Sequence, residues 1–320
     1  MPAVVHVRRA VALGGALTFA LAGALTCAST ASAASAGKPA GPARPARSAA
    51  APSPFTTRSA HAAAGNYVAL GDSYTSGPLI PIQSGGLCLR SSENYASLTA
   101  AALGYSLTDA SCSGATSVDM TESQPDLGIT INQPQLDAVN SGTSVVSLGI
   151  GGNDIGFLDI IETCAEESLT NPLGDPCTQH YTAGGTDQLL ATIEATGPKI
   201  GAVLQEIHEL SPHATVYVVG YPDILPEDND GCWPIVPIAY GDVAYLRQTE
   251  KELNAMLADE AAVNGATYVD TYTPTIGHDV CQPIGVKWFE GLIPTSPAAP
   301  FHPNALGEAA MARALESAIG

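Results

Sequence analysis

Acidic residues are missing from the first 60 positions of this chain, and basic residues are scarce in the rest. All 31 Asp and Glu residues lie beyond residue 60, with only 6 of the 12 Lys and Arg residues, so this part carries a charge near −25 (6 − 31). Such a surface repels phosphates, which excludes a nucleic-acid partner. A large charge of one sign is compatible with a soluble, exported protein.

Long hydrophobic runs are also missing, except for one near the N-terminus. Arg8 and Arg9 precede an uncharged run rich in Ala, Gly and Leu that ends in the small residues Ala31 to Ala33. A basic start, an apolar centre and a small-residue end are typical of a secretory signal peptide, which we predict over residues 1–33. A transmembrane anchor is the alternative, which the Ala- and Gly-rich composition disfavours. Because no second run follows, we expect no stable membrane insertion.

Residues 34–64 lack the apolar periodicity that a core requires. They are mainly Ala, Pro, Ser and Gly with scattered basic residues. We predict a disordered linker or pro-segment here. Residues 65–320 remain, which is enough chain for a single domain with a sizeable core.

The chain contains no CxxC pair, which argues against a zinc site built on cysteines. Of the seven cysteines, Cys27 lies in the apolar N-terminal run and six lie in the predicted domain. Six cysteines behind an export signal indicate three disulfides, for which 15 pairings exist. We predict sequential pairing, because each bridge then closes a local loop. The predicted pairs are Cys88 with Cys112, Cys164 with Cys177, and Cys232 with Cys281; a metal site is the alternative.

Short apolar runs alternate with helical patterns along the domain. The continuous or β-branched runs predict strands over 67–71, 143–154, 214–223 and 266–270, with a further strand over 105–110. Apolar residues at helical spacing predict helices over 92–103, 184–210, 241–263 and about 304–319. This alternation favours a parallel sheet covered on both faces, in which function lies beyond the carboxyl ends of the strands.

Four short polar or glycine-rich segments follow predicted strands or precede the last helix. They are Gly71-Asp72-Ser73, the turn at Gly114, Gly151 to Asp154, and His302-Pro303. Each alone is a common turn or helix cap. Together they supply what acyl transfer needs, namely a serine, a base that removes its proton, and donors for an oxyanion. His278 and His302 are the candidate bases, since both follow the last strand.

In this order, the four segments resemble the four blocks of the SGNH (GDSL-type) hydrolases. The resemblance covers roughly residues 65–320, and the six cysteines, the segment 277–281 and the C-terminal HPNALG are similar to the secreted bacterial lipases and esterases of that family. It implies a flavodoxin-like three-layer α/β/α fold with a five-stranded parallel sheet. It also implies sequential disulfides.

The same resemblance implies the roles of individual residues. Ser73 is the expected nucleophile, and His302 the expected general base and then general acid. The oxyanion hole is expected to combine the backbone N–H groups of Ser73 and Gly114 with the side-chain amide of Asn153. No cofactor or metal is needed by this mechanism, and we expect a monomer that acts on an acyl-ester or lipid substrate.

One position departs from the family pattern. The family often has an acid three residues before the histidine, but here that position is Ala299. The imidazole still needs a partner at its second nitrogen, so we predict that the backbone carbonyl of Ala299 orients His302. Asp72 neighbours Ser73, and we expect it to hold the turn. Thr75 replaces the last glycine of a G-x-S-x-G elbow, which argues against an α/β-hydrolase.

The predicted activity is that of a secreted carboxylic ester hydrolase, most specifically a triacylglycerol lipase. A phospholipase A1 or a carbohydrate-ester deacetylase on the same site is the alternative, and a non-catalytic binding module is a third. The segments 234–246 and 286–301 are apolar, with Trp233, Trp288, Phe289 and Ile293 in or beside them. They predict an acyl groove beside His302, or else loops that pack against the core.

Overall fold

The computed structural model describes residues 65–320, and a sheet of five parallel strands forms its centre. The strands in chain order are β1 (Asn66–Gly71), β2 (Ser106–Asp109), β3 (Gln124–Asp126), β4 (Ile129–Asn132), β5 (Thr143–Gly149), β6 (Thr215–Val219) and β7 (Thr267–Val269). The sheet has the order β2-β1-β5-β6-β7, and β3 and β4 form a separate antiparallel hairpin. The direction of winding reverses between β1 and β5, which is where ligands bind in sheets of this kind.

Helices cover both faces of the sheet. They are α1 (Ser73–Ser76), α2 (Tyr95–Leu103), α3 (Phe157–Ser168), α4 (Pro176–Thr182), α5 (Gln188–Leu210), α6 (Val243–Val263) and α7 (Ala305–Ile319). Helices α2 and α7 pack together over one face, and α5 and α6 pack together over the other. Within residues 65–320 no helix is both long enough and apolar enough to cross a bilayer.

Strand β1 shows why the sheet is buried on both sides. Successive side chains of a strand point to opposite faces. Val68 and Leu70 pack with the α5–α6 side of the core, whereas Tyr67 and Ala69 pack with the α2–α7 side. The continuous apolar run that predicted a doubly covered strand therefore supplies both cores.

The predicted α/β fold with a five-stranded parallel sheet is confirmed. Each predicted strand and helix of the domain is present, although β5 ends at Gly149 and the chain then turns at Gly151, whose φ is 124°. The sequence interpretation missed α3, α4 and the short β3–β4 hairpin. The predicted signal peptide and linker lie outside the described residues.

The disulfides follow the predicted sequential pairing. The pairs are Cys88–Cys112, Cys164–Cys177 and Cys232–Cys281. This pairing leaves no thiolate among the six for the alternative metal site. The first bridge joins the loop after β1 to the loop after β2, and the third joins the loop after β6 to the loop after β7. Two of the bridges thus connect loops at the carboxyl edge of the sheet.

Candidate active site

Ser73 lies at the exit of β1, in a turn that only glycine can begin. Gly71 has a φ of 156°, and a Cβ on it would lie 2.5 Å from the Gly149 carbonyl oxygen. The N–H of Asp72 donates to that same carbonyl at 3.0 Å, so the turn is fixed against the end of β5. The Asp72 carboxylate then accepts from the Tyr74 N–H at 2.9 Å and caps α1. Ser73 is the first residue of this short helix.

Asp72 connects two of the predicted segments, as expected for a residue that holds the turn. Its second oxygen accepts from the Tyr221 hydroxyl at 2.5 Å, and that hydroxyl accepts from the Gly152 N–H at 2.7 Å. Burial raises the pKa of Asp72 to about 7, against the opposing effect of the hydrogen bonds from Tyr221 and Tyr74. The hydrogen bonds of the Asp72 carboxylate go to Tyr74 and Tyr221, and none of them goes to His302.

Ser73 and His302 are in direct contact. The Ser73 Oγ lies 2.7 Å from His302 Nε2, and His302 Nδ1 lies 2.7 Å from the Pro300 carbonyl oxygen. A carbonyl oxygen only accepts, so Nδ1 carries the proton and Nε2 is left to accept from the serine hydroxyl. Burial lowers the pKa of His302 to about 4, although the hydrogen bond to Pro300 acts in the opposite direction. The imidazole is therefore neutral near pH 7, as a general base must be.

The prediction that the Ala299 carbonyl orients His302 is wrong. That oxygen accepts from the backbone N–H of His302 at 3.2 Å, so it is occupied by the main chain. Phe301 has a left-handed φ of 59°, which turns the chain so that the Pro300 carbonyl meets the imidazole. The Tyr74 hydroxyl donates to the Phe301 carbonyl at 2.6 Å and holds this turn in place.

A fully buried carboxylate, Glu290, supports the histidine loop from behind. The main chain of Glu290 pairs with the loop, because the Glu290 N–H donates to the His302 carbonyl at 3.0 Å and the Phe301 N–H donates to the Glu290 carbonyl at 2.9 Å. One side-chain oxygen accepts from Asn304 Nδ2 at 2.9 Å. The other accepts from the Thr295 N–H at 2.7 Å and contacts Lys287 Nζ at 3.0 Å.

The charge of Glu290 is stabilised by these donors. Burial raises its pKa, but the hydrogen bonds from Asn304, Thr295 and Lys287 outweigh burial and lower the pKa to about 2. Asn304 also caps α7, the helix that begins three residues beyond the histidine. Sequence reasoning missed Glu290, since nothing in the linear order places it beneath His302.

Asn153 lines the same pocket as Ser73, and the Ser113 hydroxyl lies 2.9 Å from the Ser76 hydroxyl, which brings the turn at Gly114 next to α1. One N–H of the Asn153 side-chain amide donates to the Ala115 carbonyl at 2.9 Å, which orients the amide and leaves its second N–H available. Gly114 has a φ of 80°, and its N–H, like that of Ser73, has no acceptor in the described part of the chain. This arrangement offers donors of the kind that stabilise a tetrahedral oxyanion.

Asp154 fixes these donor loops to one another. Its carboxylate accepts from the Ser117 N–H at 2.8 Å and from the Ser117 hydroxyl. Lys199 Nζ contacts the same carboxylate at 3.7 Å. The segment after Gly114 and the segment after β5 are therefore joined next to Asn153. The four sequence segments come together at one edge of the sheet.

His278, the other candidate base, is not brought to Ser73. Its Nδ1 lies 2.6 Å from the Val286 carbonyl oxygen. Its ring stacks on Trp288 with 3.4 Å between centroids and 2° between planes. The structure thus places His302, and not His278, beside the serine.

An apolar pocket opens beside Ser73. Its wall comes mainly from α3, α6 and the segment after β6, which contribute Phe157, Ile160, Ile161, Ile224, Leu225, Leu246 and Leu253. Asp72, Asn153 and Phe301 also line it, so the pocket begins at the candidate catalytic groups. Its shape and apolar lining suit a hydrocarbon chain.

The acyl groove that was predicted from the segments 234–246 and 286–301 is placed wrongly. Of these segments, only Leu246 and Phe301 line the pocket. Phe289 is fully buried in the core, Trp288 stacks on His278, and Ile293 is 79% exposed. Helix α3 instead supplies part of the pocket wall through Phe157, Ile160 and Ile161. These residues have helical spacing, which could have predicted α3 from the sequence.

A family model and several known proteins match most of this chain. The model of the GDSL-like lipase/acylhydrolase family matches residues 69–310. Lipase 2 of Streptomyces coelicolor is 38% identical over 277 residues, which cover 83% of this chain and 91% of that protein. The structure of phospholipase A1 from Streptomyces albidoflavus NA297 has a TM-score of 0.66 and 30% identity, and covers 80% of this chain and 99% of its own. The structure of the extracellular lipase from Streptomyces rimosus has a TM-score of 0.65 and 31% identity, and the match covers 80% of this chain and 100% of that one.

Proposed function

The chain belongs to the GDSL-like lipase/acylhydrolase family and is a carboxylic ester hydrolase, and we propose that it cleaves fatty-acyl esters through an acyl-enzyme on Ser73. The observation that carries this proposal is the 2.7 Å contact between Ser73 Oγ and His302 Nε2, with Nδ1 held by the Pro300 carbonyl. A serine hydroxyl is activated in this way when a neutral, oriented imidazole accepts its proton.

In the first half of the proposed reaction, Ser73 Oγ attacks the ester carbonyl carbon and its proton moves to His302 Nε2. The carbonyl oxygen becomes an oxyanion that the N–H groups of Ser73, Gly114 and Asn153 stabilise. The tetrahedral intermediate then expels the alkoxide, which takes the proton from His302 and leaves as the alcohol. The acyl group remains bonded to Ser73.

In the second half, water attacks the acyl-enzyme while His302 again accepts a proton. A second tetrahedral intermediate collapses, the Ser73 Oγ recovers its proton from His302, and the carboxylic acid leaves. The Pro300 carbonyl keeps the imidazole in one tautomer through both halves, but it stabilises the imidazolium less than a carboxylate would. The machinery is thus a dyad oriented by the main chain.

We further propose that the substrate is an acyl lipid and that triacylglycerol is cleaved. The apolar pocket between α3 and α6 is suited to hold the acyl chain of the acyl-enzyme, since most of its wall is aliphatic or aromatic and its polar residues beyond the candidate catalytic end are Thr249 and Glu250. A phospholipase A1 is the second candidate, because the Streptomyces albidoflavus structure of that activity is as similar as the lipase structure. Both share the acyl pocket and differ in the head group.

We also propose export of the protein as a monomer, with residues 1–33 removed as a signal peptide. The three disulfides support this proposal, because such bridges persist in oxidising compartments. Analysis of the mature N-terminus and the mass of protein from a culture supernatant tests it. An intact Met1 or a stable dimer would contradict it.

An acyl-chain-length profile tests the substrate proposal. Triacylglycerol, phosphatidylcholine and an acetylated sugar are compared with the wild-type protein and with Ser73→Ala. We expect Ser73-dependent release of fatty acid from triacylglycerol, with a preference for chains longer than acetyl. Cleavage of phosphatidylcholine alone would favour the phospholipase, and cleavage of the acetylated sugar alone would overturn the lipid substrate.

A further inference from the structure

Large apolar side chains are exposed on the loops that surround Ser73. We call seven of these the hydrophobic rim. Its members are Leu79, Ile82, Val118, Leu127, Ile129, Leu292 and Ile293. All lie in the segments that follow β1, β2 or β7, with Ile129 at the start of β4, and the segments after parallel strands meet at the carboxyl edge of the sheet. The most exposed are Leu127 at 96%, Ile293 at 79% and Ile82 at 74%.

One half of the rim lies beside Gly114. Gln124, the first residue of β3, donates through its side-chain amide to the Ser113 carbonyl at 2.9 Å. Asn132, the last residue of β4, accepts from the Arg90 guanidinium at 2.8 Å and donates to the Ala110 carbonyl at 3.0 Å. Both ends of the hairpin are therefore fixed next to the candidate oxyanion hole. Its turn carries Leu127 away from these anchors into solvent.

The other half of the rim lies beside His302. The Ala299 N–H donates to the Pro78 carbonyl at 3.1 Å, which brings the loop before the histidine against the loop after α1. Leu79 follows Pro78 directly, and Leu292 and Ile293 belong to the loop before the histidine. Exposed apolar side chains therefore lie both beside the turn at Gly114 and beside the loop that carries His302.

The charges of these loops restrict the surface that the rim can meet. The loops after β1, β2, β5, β6 and β7 contain two basic residues, Arg90 and Lys287. The Arg90 guanidinium is used by the Ser111 carbonyl and Asn132, and Lys287 is buried against Glu290. The nearby Lys199 on α5 is half-exposed, but its ammonium contacts the Asp154 carboxylate at 3.7 Å. The described cations at the rim are thus each engaged by protein groups, while exposed acids such as Asp126 flank the rim.

We propose that the hydrophobic rim docks on the surface of uncharged or zwitterionic lipid, with Leu127 on the hairpin and Ile293 on the histidine loop as the two main anchors. The proposal rests on the proposed function, because a lipid surface is where the acyl chains that fit the pocket are found. Docking through both halves of the rim sets the pocket mouth and Ser73 against the lipid. Apolar burial supplies the attraction, and the acidic body opposes docking on anionic lipid.

Vesicle sedimentation with the otherwise intact Ser73→Ala protein tests the docking without hydrolysis. We expect binding to phosphatidylcholine vesicles and weaker binding once phosphatidylglycerol is added. In this background, Leu127→Ser and Ile293→Ser should each lower the partition coefficient on the order of tenfold. Val263→Ser is the matched control, because Val263 is 76% exposed at the end of α6, at the opposite edge of the sheet.

A parallel measurement in the active protein separates this proposal from the proposed function. Leu127→Ser and Ile293→Ser should leave the hydrolysis of a soluble p-nitrophenyl butyrate unchanged while they slow the hydrolysis of a lipid emulsion. Absence of vesicle binding, equal losses with Val263→Ser, or stronger binding to phosphatidylglycerol vesicles would overturn the docking surface. Absence of any Ser73-dependent hydrolysis would instead overturn the proposed function and leave the binding result to be judged on its own.

Discussion

Glu290 and His302 are paired through their main chains, with the Glu290 N–H 3.0 Å from the His302 carbonyl oxygen. Below this pairing, the Glu290 carboxylate collects the donors of Lys287, Thr295 and Asn304. The sequence has no acid three residues before His302, but the Glu290 carboxylate is buried directly behind the loop that carries His302. We interpret Glu290 as a positioning residue, since it acts on His302 only through the backbone.

Glu290→Gln tests this positioning role. Loss of one partner leaves the Lys287 ammonium buried and unpaired, which costs about 3–5 kcal/mol in the free energy of unfolding for pairs of this kind. We expect kcat to fall on the order of 10- to 100-fold through misplacement of His302, with KM nearly unchanged because Glu290 does not line the pocket. Glu227→Gln, which breaks a partly exposed ion pair with Lys251, is the control and should cost under about 1 kcal/mol.

The pH dependence of unfolding gives a second readout for Glu290. Its folded-state pKa, about 2, lies below the ordinary value of 4.5, so its stabilising effect is complete above about pH 4.5 and is lost as the pH falls towards 2. Glu290→Gln should remove this part of the acid destabilisation. If the two proteins lost stability in parallel between pH 5 and 2, as followed by urea unfolding, Glu290 would not be the buried carboxylate described here.

Ser73→Ala and His302→Ala should each abolish hydrolysis of p-nitrophenyl acyl esters. The reason is that the nucleophile and its base act as a unit. His278→Ala is the matched control and should keep most of the activity, since His278 stacks on Trp288 away from Ser73. Labelling with a serine-reactive phosphonate, read by mass spectrometry, checks the chemistry at Ser73. Greater damage from His278→Ala than from His302→Ala would mean that the dyad is assigned wrongly.

Asn153→Ala should lower kcat by roughly 10²–10³-fold with little change in KM, the scale for one oxyanion donor. Its second amide hydrogen is the donor in question, because the first is used by the Ala115 carbonyl. Steady-state kinetics on a soluble ester make this measurement, with circular dichroism to verify the fold. An effect confined to KM would assign Asn153 to substrate binding instead.

The acid limb of the pH–rate profile should lie unusually low. The pKa of His302 is about 4, below its ordinary value of 6.5, so the imidazole stays neutral until the pH falls through that lower value. The kcat/KM for a soluble ester should therefore be half-maximal nearer pH 4 than pH 6.5. The same shift means that stability from this group falls as the pH drops from about 6.5 to 4, because only the unfolded chain takes up the proton there. A kinetic midpoint at 6.5 would contradict a desolvated His302.

The sequence could predict that Ser73, Asn153 and His302 come together because each is a side chain within a short segment at a strand exit or a helix start. The partner of His302 could not be predicted, since it is a main-chain carbonyl whose position depends on the left-handed turn at Phe301. Phenylalanine gives no sequence signal for a left-handed turn, unlike glycine. Ala299 was predicted from its position three residues before His302, but the backbone conformation at Phe301 determines which carbonyl reaches the imidazole.

The strands were predictable for a different reason. Val68 and Leu70 on one side, and Tyr67 and Ala69 on the other, form a continuous apolar run that only a doubly covered sheet can bury. The β3–β4 hairpin has no such run. Its Leu127 and Ile129 are exposed, so its sequence lacks the alternation of buried and exposed residues that predicts a strand. The predicted acyl groove failed because apolar loops beside His302 resemble a groove in sequence, whether their side chains face the core, the solvent or the pocket.

The dyad joins residues 229 positions apart, one at the end of the first strand and one at the start of the last helix. In the proposed mechanism, a chain that is still being synthesised has a serine without a base until almost every residue has been made. An incomplete copy that lacks His302 therefore has no general base with which to activate Ser73 in that mechanism. Because the serine comes early in the chain and the histidine late, the proposed active site can form only once nearly the whole domain has been synthesised.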